Sequence, residues 1–85
     1  MGFNQREWAL NWLKGSIVSY MRGRISLVML LGRVRRCIES YGITPSDIEV
    51  LIEVIVRDPA LNLGSSDERV KRLEPLMEFL SKVKG

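Results

Sequence analysis

The strongest constraint on how this chain folds is an apolar stripe along residues 27–41. At about 100° per residue, the angular step of an α-helix, its apolar side chains fall within a sector of roughly 120°. These side chains are Leu27, Leu30, Leu31, Val34, Cys37, Ile38 and Tyr41. A stripe of that width is typical of a helix that buries one face in a protein core. The rest of the chain must therefore supply the surface that covers it.

The segment before this stripe also has the signals of a helix. Asn4 is a good N-cap residue, and Glu7 follows three residues later as in a capping box. Phe3 and Trp8 stand at the two positions of a hydrophobic staple. Gly23 either ends this helix in a turn or lets it continue into the next one, and the sequence leaves both open.

The second half of the chain contains two more helical segments with clear boundaries. Thr44 is an N-cap followed by proline, and Pro59 ends the segment because the residue before a proline avoids helical geometry. Ser65 and Glu68 form a second capping-box pattern. Pro75 interrupts the last apolar pattern, so we expect that helix to be kinked or broken there.

Length and composition limit the chain to one small domain. Its 85 residues and 46% hydrophobic content suit a single core, and 27% charged residues are ordinary for a globular protein. The predicted fold is all-α, a compact bundle of four helices in one domain over residues 1–85. The helices are expected at about residues 4–21, 25–41, 45–57 and 66–84.

Three expectations about the interior follow from residue types. The third helix is apolar on nearly all sides, so we expect it to be the central and most buried one. Gly15 and Gly32 interrupt helical patterns, which predicts close contacts between helices. Glu49 and Glu53 lie one turn apart, either as a solvated line or as salt-bridge partners for the arginines of the second helix.

Charge is distributed unevenly along the chain. Residues 1–42 contain seven Lys and Arg against two Glu, and residues 43–85 contain six against eight Asp and Glu. Such asymmetry indicates either an anionic partner for the basic half or attraction between the two halves of the fold. The arginines expected to face a partner, rather than form a merely solvated face, are Arg22, Arg24, Arg33 and Arg36.

Trp8 and Trp12 lie one helical turn apart at the edge of the first helix's core sector, beside Gly15, Ser16 and Ser19. Two indoles in this position could simply seal the core. Because Trp is enriched at interface hot spots, they are also candidate partner-binding residues on a shelf with a shallow groove. Stacking on unpaired nucleic-acid bases is a third use of such rings.

The sequence contains few of the side chains and motifs that catalysis, metal binding or cofactor binding requires. It has no histidine, no glycine-rich phosphate loop and a single cysteine, Cys37, which we expect to be a small buried apolar residue. We therefore expect no catalytic site, no metal site and no cofactor. The N-terminal stretch lacks the pattern of a secretory signal, so a cytoplasmic location is expected, without membrane association. The scarcity of amide side chains resembles proteins from hot environments.

Two functions remain. The first is an accessory protein that docks on a larger protein partner, with a nucleic-acid-handling complex as one setting. The second is direct DNA or RNA binding, largely independent of sequence, through the basic face of the first two helices. A homo-oligomer closed over the third helix is a variant of the first function.

Overall fold

The computed structural model describes residues 4–84 as a bundle of four α-helices. The helices are α1 (Gln5–Met21), α2 (Leu27–Ser40), α3 (Pro45–Arg57) and α4 (Ser66–Lys84), and a short 3₁₀ helix (Pro59–Leu61) precedes α4. No strand occurs within these residues. The all-α four-helix prediction is confirmed, and the largest boundary difference is at the start of α2, which begins at Leu27 instead of residue 25.

The predicted caps explain where three helices begin. The Asn4 side chain accepts a hydrogen bond of 3.0 Å from the backbone N–H of Glu7. Thr44 and Asp47 form a full capping box, because each side chain accepts a bond from the other's backbone N–H, at 3.1 and 2.9 Å. The Ser65 hydroxyl accepts a bond of 3.2 Å from the N–H of Glu68. The staple partner Phe3 lies outside the described residues.

A turn at residues 22–26 separates α1 from α2, so the alternative of one long helix is excluded. Gly23 adopts φ +76°, a left-handed conformation that L side chains rarely take. Its N–H donates to the Tyr20 carbonyl, and the next N–H, of Arg24, donates to the Ser19 carbonyl. This Schellman-type ending satisfies the last carbonyls of α1 and reverses the chain. Ser26 then caps α2 by accepting a bond from the Met29 N–H.

The core contains side chains from all four helices and is entirely apolar apart from its margin. α1 packs against both α2 and α3, and α4 packs mainly against α3. The loop leucines Leu61 and Leu63 are half-buried against this core. The buried hydrophobic residues are Ala9, Leu13, Ile17, Met21, Leu30, Val34, Cys37, Ile43, Ile48, Ile52, Ile55, Leu73, Leu76 and Leu80.

The prediction that α3 is the most buried helix is wrong. Its buried residues all lie on one side, whereas Val50 and Val54 on the opposite side are 62% and 46% exposed. α3 packs against α1 and α4, and α1 packs against α2 and α3, so these two helices share the central position of the bundle. The near-continuous apolar run of α3 therefore reflects a second, uncovered apolar face.

Pro75 does not divide the last helix. α4 runs unbroken from Ser66 to Lys84 with Pro75 inside it. Of the two outcomes expected there, the break into two short helices does not occur. Buried Leu73 and Leu76 on either side of the proline hold the helix against the core, which offsets the loss of one backbone donor.

The predicted close contacts at Gly15 and Gly32 are absent. A Cβ atom built on either glycine meets nothing within 4 Å among the described residues outside its own helix backbone. Both positions face open space, because the apolar stripes of α1 and α2 meet through their larger side chains. Neither glycine is required by the internal packing of the described chain.

Candidate functional site

The main feature of the α1/α2 surface is a stack of three aromatic rings and one guanidinium. The indoles of Trp8 and Trp12 stack nearly parallel, with ring centroids 5.8 Å apart and 7° between their planes. The Tyr41 ring meets Trp8 edge-on at 5.7 Å, and the Arg33 guanidinium lies 5.5 Å from the centroid of Trp12. We call these four residues the Trp–Arg stack.

The chain folds into this stack because α1 and α2 are antiparallel. The turn at residues 22–26 brings the end of α2 beside the start of α1, so Tyr41 reaches Trp8. One turn further along α1, the same alignment puts Arg33 beside Trp12. The two tryptophans are four residues apart on one helix, a spacing that places their rings on the same face.

A hydrogen-bond chain fixes the inner end of the stack. Arg33 donates a bond of 3.0 Å from Nη1 to the hydroxyl of Ser16. Ser16 is buried and donates in turn to the backbone carbonyl of Trp12 at 2.9 Å. The Arg33 side chain is half-buried, because cation–π contact and the Ser16 hydroxyl hold it against α1, and its role in partner binding stays a prediction. Trp12 is also half-buried and packs on the core, whereas Trp8 is 45% exposed.

The other three predicted arginines are exposed; Arg22 and Arg24 lie apart from the stack, and Arg36 lies about one helical turn from Arg33. Arg22 and Arg24 are at the α1/α2 turn, and Arg22 donates a bond of 3.2 Å to the Leu61 carbonyl. Trp8 is fourteen residues from Arg22 along α1, which corresponds to about 20 Å. Arg36 is exposed one turn after Arg33 on α2. The predicted site residues therefore form two groups, the stack with Arg36 nearby and the turn arginines.

Apart from Arg6, the arginines of the α1/α2 half have no salt bridge to a carboxylate among the described residues. Within residues 4–84, the salt bridges are Arg6–Asp47, Arg57–Glu53, Lys82–Glu78 and Lys84–Glu49. Of the two alternatives expected for Glu49 and Glu53, pairing with arginines of the second helix does not occur among the described residues. Both side chains are exposed, and they pair with Lys84 and Arg57. The arginines without a salt bridge among the described residues are Arg22, Arg24, Arg33, Arg35, Arg36, Arg69 and Arg72.

Some of these guanidiniums instead cover aromatic rings. Arg72 lies 5.8 Å from the Tyr20 ring centroid and donates to the Tyr20 carbonyl, while the Tyr20 hydroxyl donates to the Arg72 carbonyl. Arg35 lies 6.0 Å from the Phe79 ring centroid. Such contacts orient an arginine without reducing its charge. The α1/α2 half therefore retains an uncompensated positive potential.

The single cysteine is buried as predicted. Cys37 has no exposed surface, and its burial raises the pKa of the thiol above its ordinary value, with the positive charge of Arg36 acting weakly against that shift. A thiol in this state is protonated at neutral pH and is a poor nucleophile.

Residues 4–84 lack two further kinds of feature. No cluster of three or more His, Cys, Asp or Glu side chains has the arrangement of a metal site. No helix in that range combines the length and apolar character that a membrane span requires.

The structure also reveals an apolar surface on the other side of the molecule. Val50 and Val54 on α3 line one shallow depression, and Val70 and Met77 on α4 line a neighbouring one together with Ile52 of α3. From the sequence alone, the many apolar residues of α3 predict a helix that is buried on nearly all sides. The sequence signal that could have revealed this apolar surface is the i, i+4 spacing of Val50 and Val54 on the side of α3 opposite to its isoleucines.

Comparison with protein-family models, with curated proteins and with solved structures finds no match for this chain.

Proposed function

We propose that this chain is a small accessory protein, without catalytic activity, that docks on a larger protein partner through the α1/α2 surface. The observation that carries the proposal is the Trp–Arg stack: an indole that is 45% exposed at Trp8 rests on a second indole and on Tyr41. Large aromatic side chains of this kind are the commonest anchors of protein interfaces.

The rigidity of the stack supports a docking role. Trp8 stacks on the Trp12 ring, and that ring is in contact with the Arg33 guanidinium, which donates a hydrogen bond to the Ser16 hydroxyl. An anchor that is already ordered loses little side-chain entropy when a partner binds, so more of its contact energy remains as affinity. A surface tryptophan that served only to seal the core would need no such support.

The charge of the same surface indicates the character of the partner. Arg36 and the turn arginines Arg22 and Arg24 have no carboxylate partner among the described residues. With Arg36 near the aromatic anchor and the turn arginines at the other end of α1, this surface favours a partner that carries carboxylates at its rim. The proposed complex therefore has an aromatic centre and a salt-sensitive edge.

Affinity capture with the full chain as bait tests this proposal. Capture from the native cell extract is run with and without nuclease, with the bait as wild type, Trp8→Ala and Trp8→Phe. We expect a protein that is retained after nuclease treatment, lost with Trp8→Ala and largely kept with Trp8→Phe. Val28→Ala is the matched control, because Val28 is an exposed α2 residue outside the stack.

The captured protein is then titrated in purified form. Trp8 and Trp12 are the two tryptophans of the chain, so the intrinsic fluorescence of the bait reports on the stack directly when a tryptophan-free fragment of the partner is used. A captured protein that binds the Trp8→Ala variant as well as wild type, or that disappears with nuclease, would contradict the docking proposal.

Direct nucleic-acid binding is the second candidate, favoured by the arginines that have no salt bridge. Phosphate contacts would make the affinity fall steeply with salt, since bound cations release counterions. Anisotropy of labelled duplex and single-stranded oligonucleotides at low and moderate salt measures this slope. Arg24→Glu with Arg36→Glu should abolish such binding, and an unchanged affinity in this variant would remove the candidate.

A further inference from the structure

We infer that a groove between α2 and α4 binds a small amphiphile, an unbranched acyl chain that ends in a carboxylate, with the carboxylate on Arg35. This α2/α4 groove has a volume of about 330 Å³ and is lined by Val28, Leu31, Gly32, Arg35 and Phe79. The inference does not depend on the proposed docking function, because none of these residues belongs to the Trp–Arg stack.

The α2/α4 groove is apolar at one end and cationic at the other. Val28 is 80% exposed, and Arg35 lies seven residues further along the same helix, which corresponds to about 10 Å along α2. Leu31 and Phe79 are half-buried against the core and complete the apolar lining. A groove that changes from apolar to charged along its length matches an acyl chain, whose charged group stands at one end. Its volume lies at the lower end of the range for small-molecule sites.

Gly32 keeps the middle of the groove open. It lies inside α2, where glycine is less stable than alanine. A Cβ built on Gly32 meets nothing within 4 Å, so the packing of the described chain does not require glycine at this position. Because Gly32 lines the groove, a side chain there would take up part of the space, whereas glycine lets a bound chain lie against the helix backbone.

Arg35 provides the charged end of the groove. Its guanidinium lies 6.0 Å from the centroid of the Phe79 ring, and it has no salt bridge among residues 4–84. Glu39, one turn further along α2, is exposed but does not line the groove. Glu78, next to Phe79 in the sequence, pairs with Lys82. A planar guanidinium can donate two parallel hydrogen bonds to a carboxylate, so the site favours that head group.

Charge distinguishes the α2/α4 groove from the depressions on α3 and on the start of α4. Those depressions are lined by carboxylates that repel an anion, namely Glu49, Glu53, Asp58, Asp67, Glu68 and Glu74. Arg57 lines both depressions on α3, but it is already paired with Glu53. Among the described residues, the α2/α4 groove is lined by Arg35 and by no carboxylate. The same positive charge makes this face repel a second copy.

NMR titration of the isotope-labelled full chain with sodium decanoate, below its critical micelle concentration, tests the inference. We expect saturable shifts of the amide signals of residues 28–35 and of Phe79. Decyltrimethylammonium has the same chain and the opposite charge, and it should not produce these shifts. From hexanoate to decanoate the affinity should rise about twofold for each methylene, because an open groove removes only part of each group from water.

Two pairs of variants separate this site from general attraction to a basic protein. Gly32→Leu fills the groove and should weaken decanoate binding at least about tenfold. Its control is Gly15→Leu, at a second helical glycine with open space, which should leave binding unchanged. Arg35→Gln should weaken binding at least about fivefold, whereas Arg57→Gln removes the same charge from α3 and should have no effect. Far-ultraviolet circular dichroism confirms that each variant remains folded.

Several outcomes would overturn the inference. One is a wild-type spectrum in which decanoate causes no saturable change. Another is an equal loss of binding in Arg35→Gln and Arg57→Gln, which would indicate only general attraction to positive charge. Shifts of the same amides when the protein alone is concentrated would assign the groove to a second copy, and shifts caused by a captured protein but not by decanoate would assign it to that partner.

Discussion

Arg69 donates a hydrogen bond of 2.6 Å from Nη1 to the backbone carbonyl of Asp58, immediately after the end of α3. The same nitrogen also donates to the carbonyls of Ile55 and Val56, at 2.9 and 3.4 Å, and Nε donates to the Gly64 carbonyl at 3.0 Å. Arg69 is buried and has no salt bridge among the described residues. Its charge is stabilised by the negative end of the α3 dipole.

Replacement of Arg69 should therefore be among the most damaging single changes. Arg69→Met keeps the alkyl part of the side chain but leaves several buried carbonyls without a donor, which should lower the free energy of unfolding by about 3 kcal/mol. Urea unfolding followed by circular dichroism measures the change. The neighbouring exposed residue provides the control, because Lys71→Met should have little effect. A stability loss for Arg69→Met no larger than that of the control would contradict this account.

The buried thiol of Cys37 should be almost inert in the folded protein. Because burial raises its pKa and denies access to reagents, we expect labelling by a maleimide at neutral pH to require unfolding. The rate in native buffer should be at least about 10³-fold below that in concentrated urea. Rapid modification in native buffer would mean that α2 opens far more readily than its packing implies.

Asp47 should make stability depend on pH in the acid range. The Thr44 N–H and hydroxyl, and more weakly Arg6, hold the pKa of Asp47 below its ordinary value. A lowered folded-state pKa stabilises the protein above the unfolded value of about 3.9, and that contribution is lost as the pH falls through the folded-state pKa. Asp47→Asn should therefore lower the free energy of unfolding at neutral pH by roughly 0.5–1 kcal/mol.

Thermal unfolding of wild type and Asp47→Asn at a series of pH values measures this effect. The difference between the two proteins should shrink toward zero at strongly acidic pH. A difference that stays constant across the acid range would show that the carboxylate charge is not its source.

The glycines should separate into two classes when changed to alanine. Gly15 and Gly32 lie inside helices with nothing within 4 Å of an added Cβ, so alanine should raise the free energy of unfolding by about 0.5–1 kcal/mol at each. Gly23 and Gly42 have φ of +76° and +68°, and alanine there should lower it by about 1–2 kcal/mol. Chemical denaturation of the four variants is sufficient to compare them, and destabilisation by Gly32→Ala would contradict this division.

The helices could be predicted because their signals are local. Asn4, Thr44 and Ser65 are N-caps whose hydrogen-bond partners lie three residues further along the chain. Gly23 ends α1 with a positive φ, a conformation that glycine adopts more readily than other residues. Each of these signals can be evaluated without knowledge of the rest of the fold. Helix bounds were accordingly correct to within two residues.

The site was predicted only in part because its key contacts join different helices. Trp8 and Trp12 share one helix, so their proximity could be deduced from spacing alone. The inward turn of Arg33 depends on the alignment of α2 with α1, which the helical period does not fix. Tyr41 packs against the core as its place in the stripe predicts, and its edge-on contact with Trp8 follows only once α1 and α2 are known to be antiparallel.

Arg69 and α3 illustrate the other limit of sequence reasoning. An arginine is normally exposed, and nothing near Arg69 in the sequence indicates that four carbonyls converge on it from residues 55–64. Similarly, an apolar residue such as Val54 is predicted to be buried unless the number of helices that pack around it is known. In both cases the sequence does not show how much of the surface the rest of the chain covers.

The position of α1 between α2 and α3 has a consequence for how the chain acquires its structure. α1 is synthesised before the other three described helices, yet one of its two main neighbours, α3, is complete only at Arg57. During synthesis α1 and α2 can pair as an early hairpin, but the side of α1 that meets α3 stays exposed to solvent until α3 has been made. The interior is therefore completed in order: α3 covers the open side of α1, and α4 then covers α3.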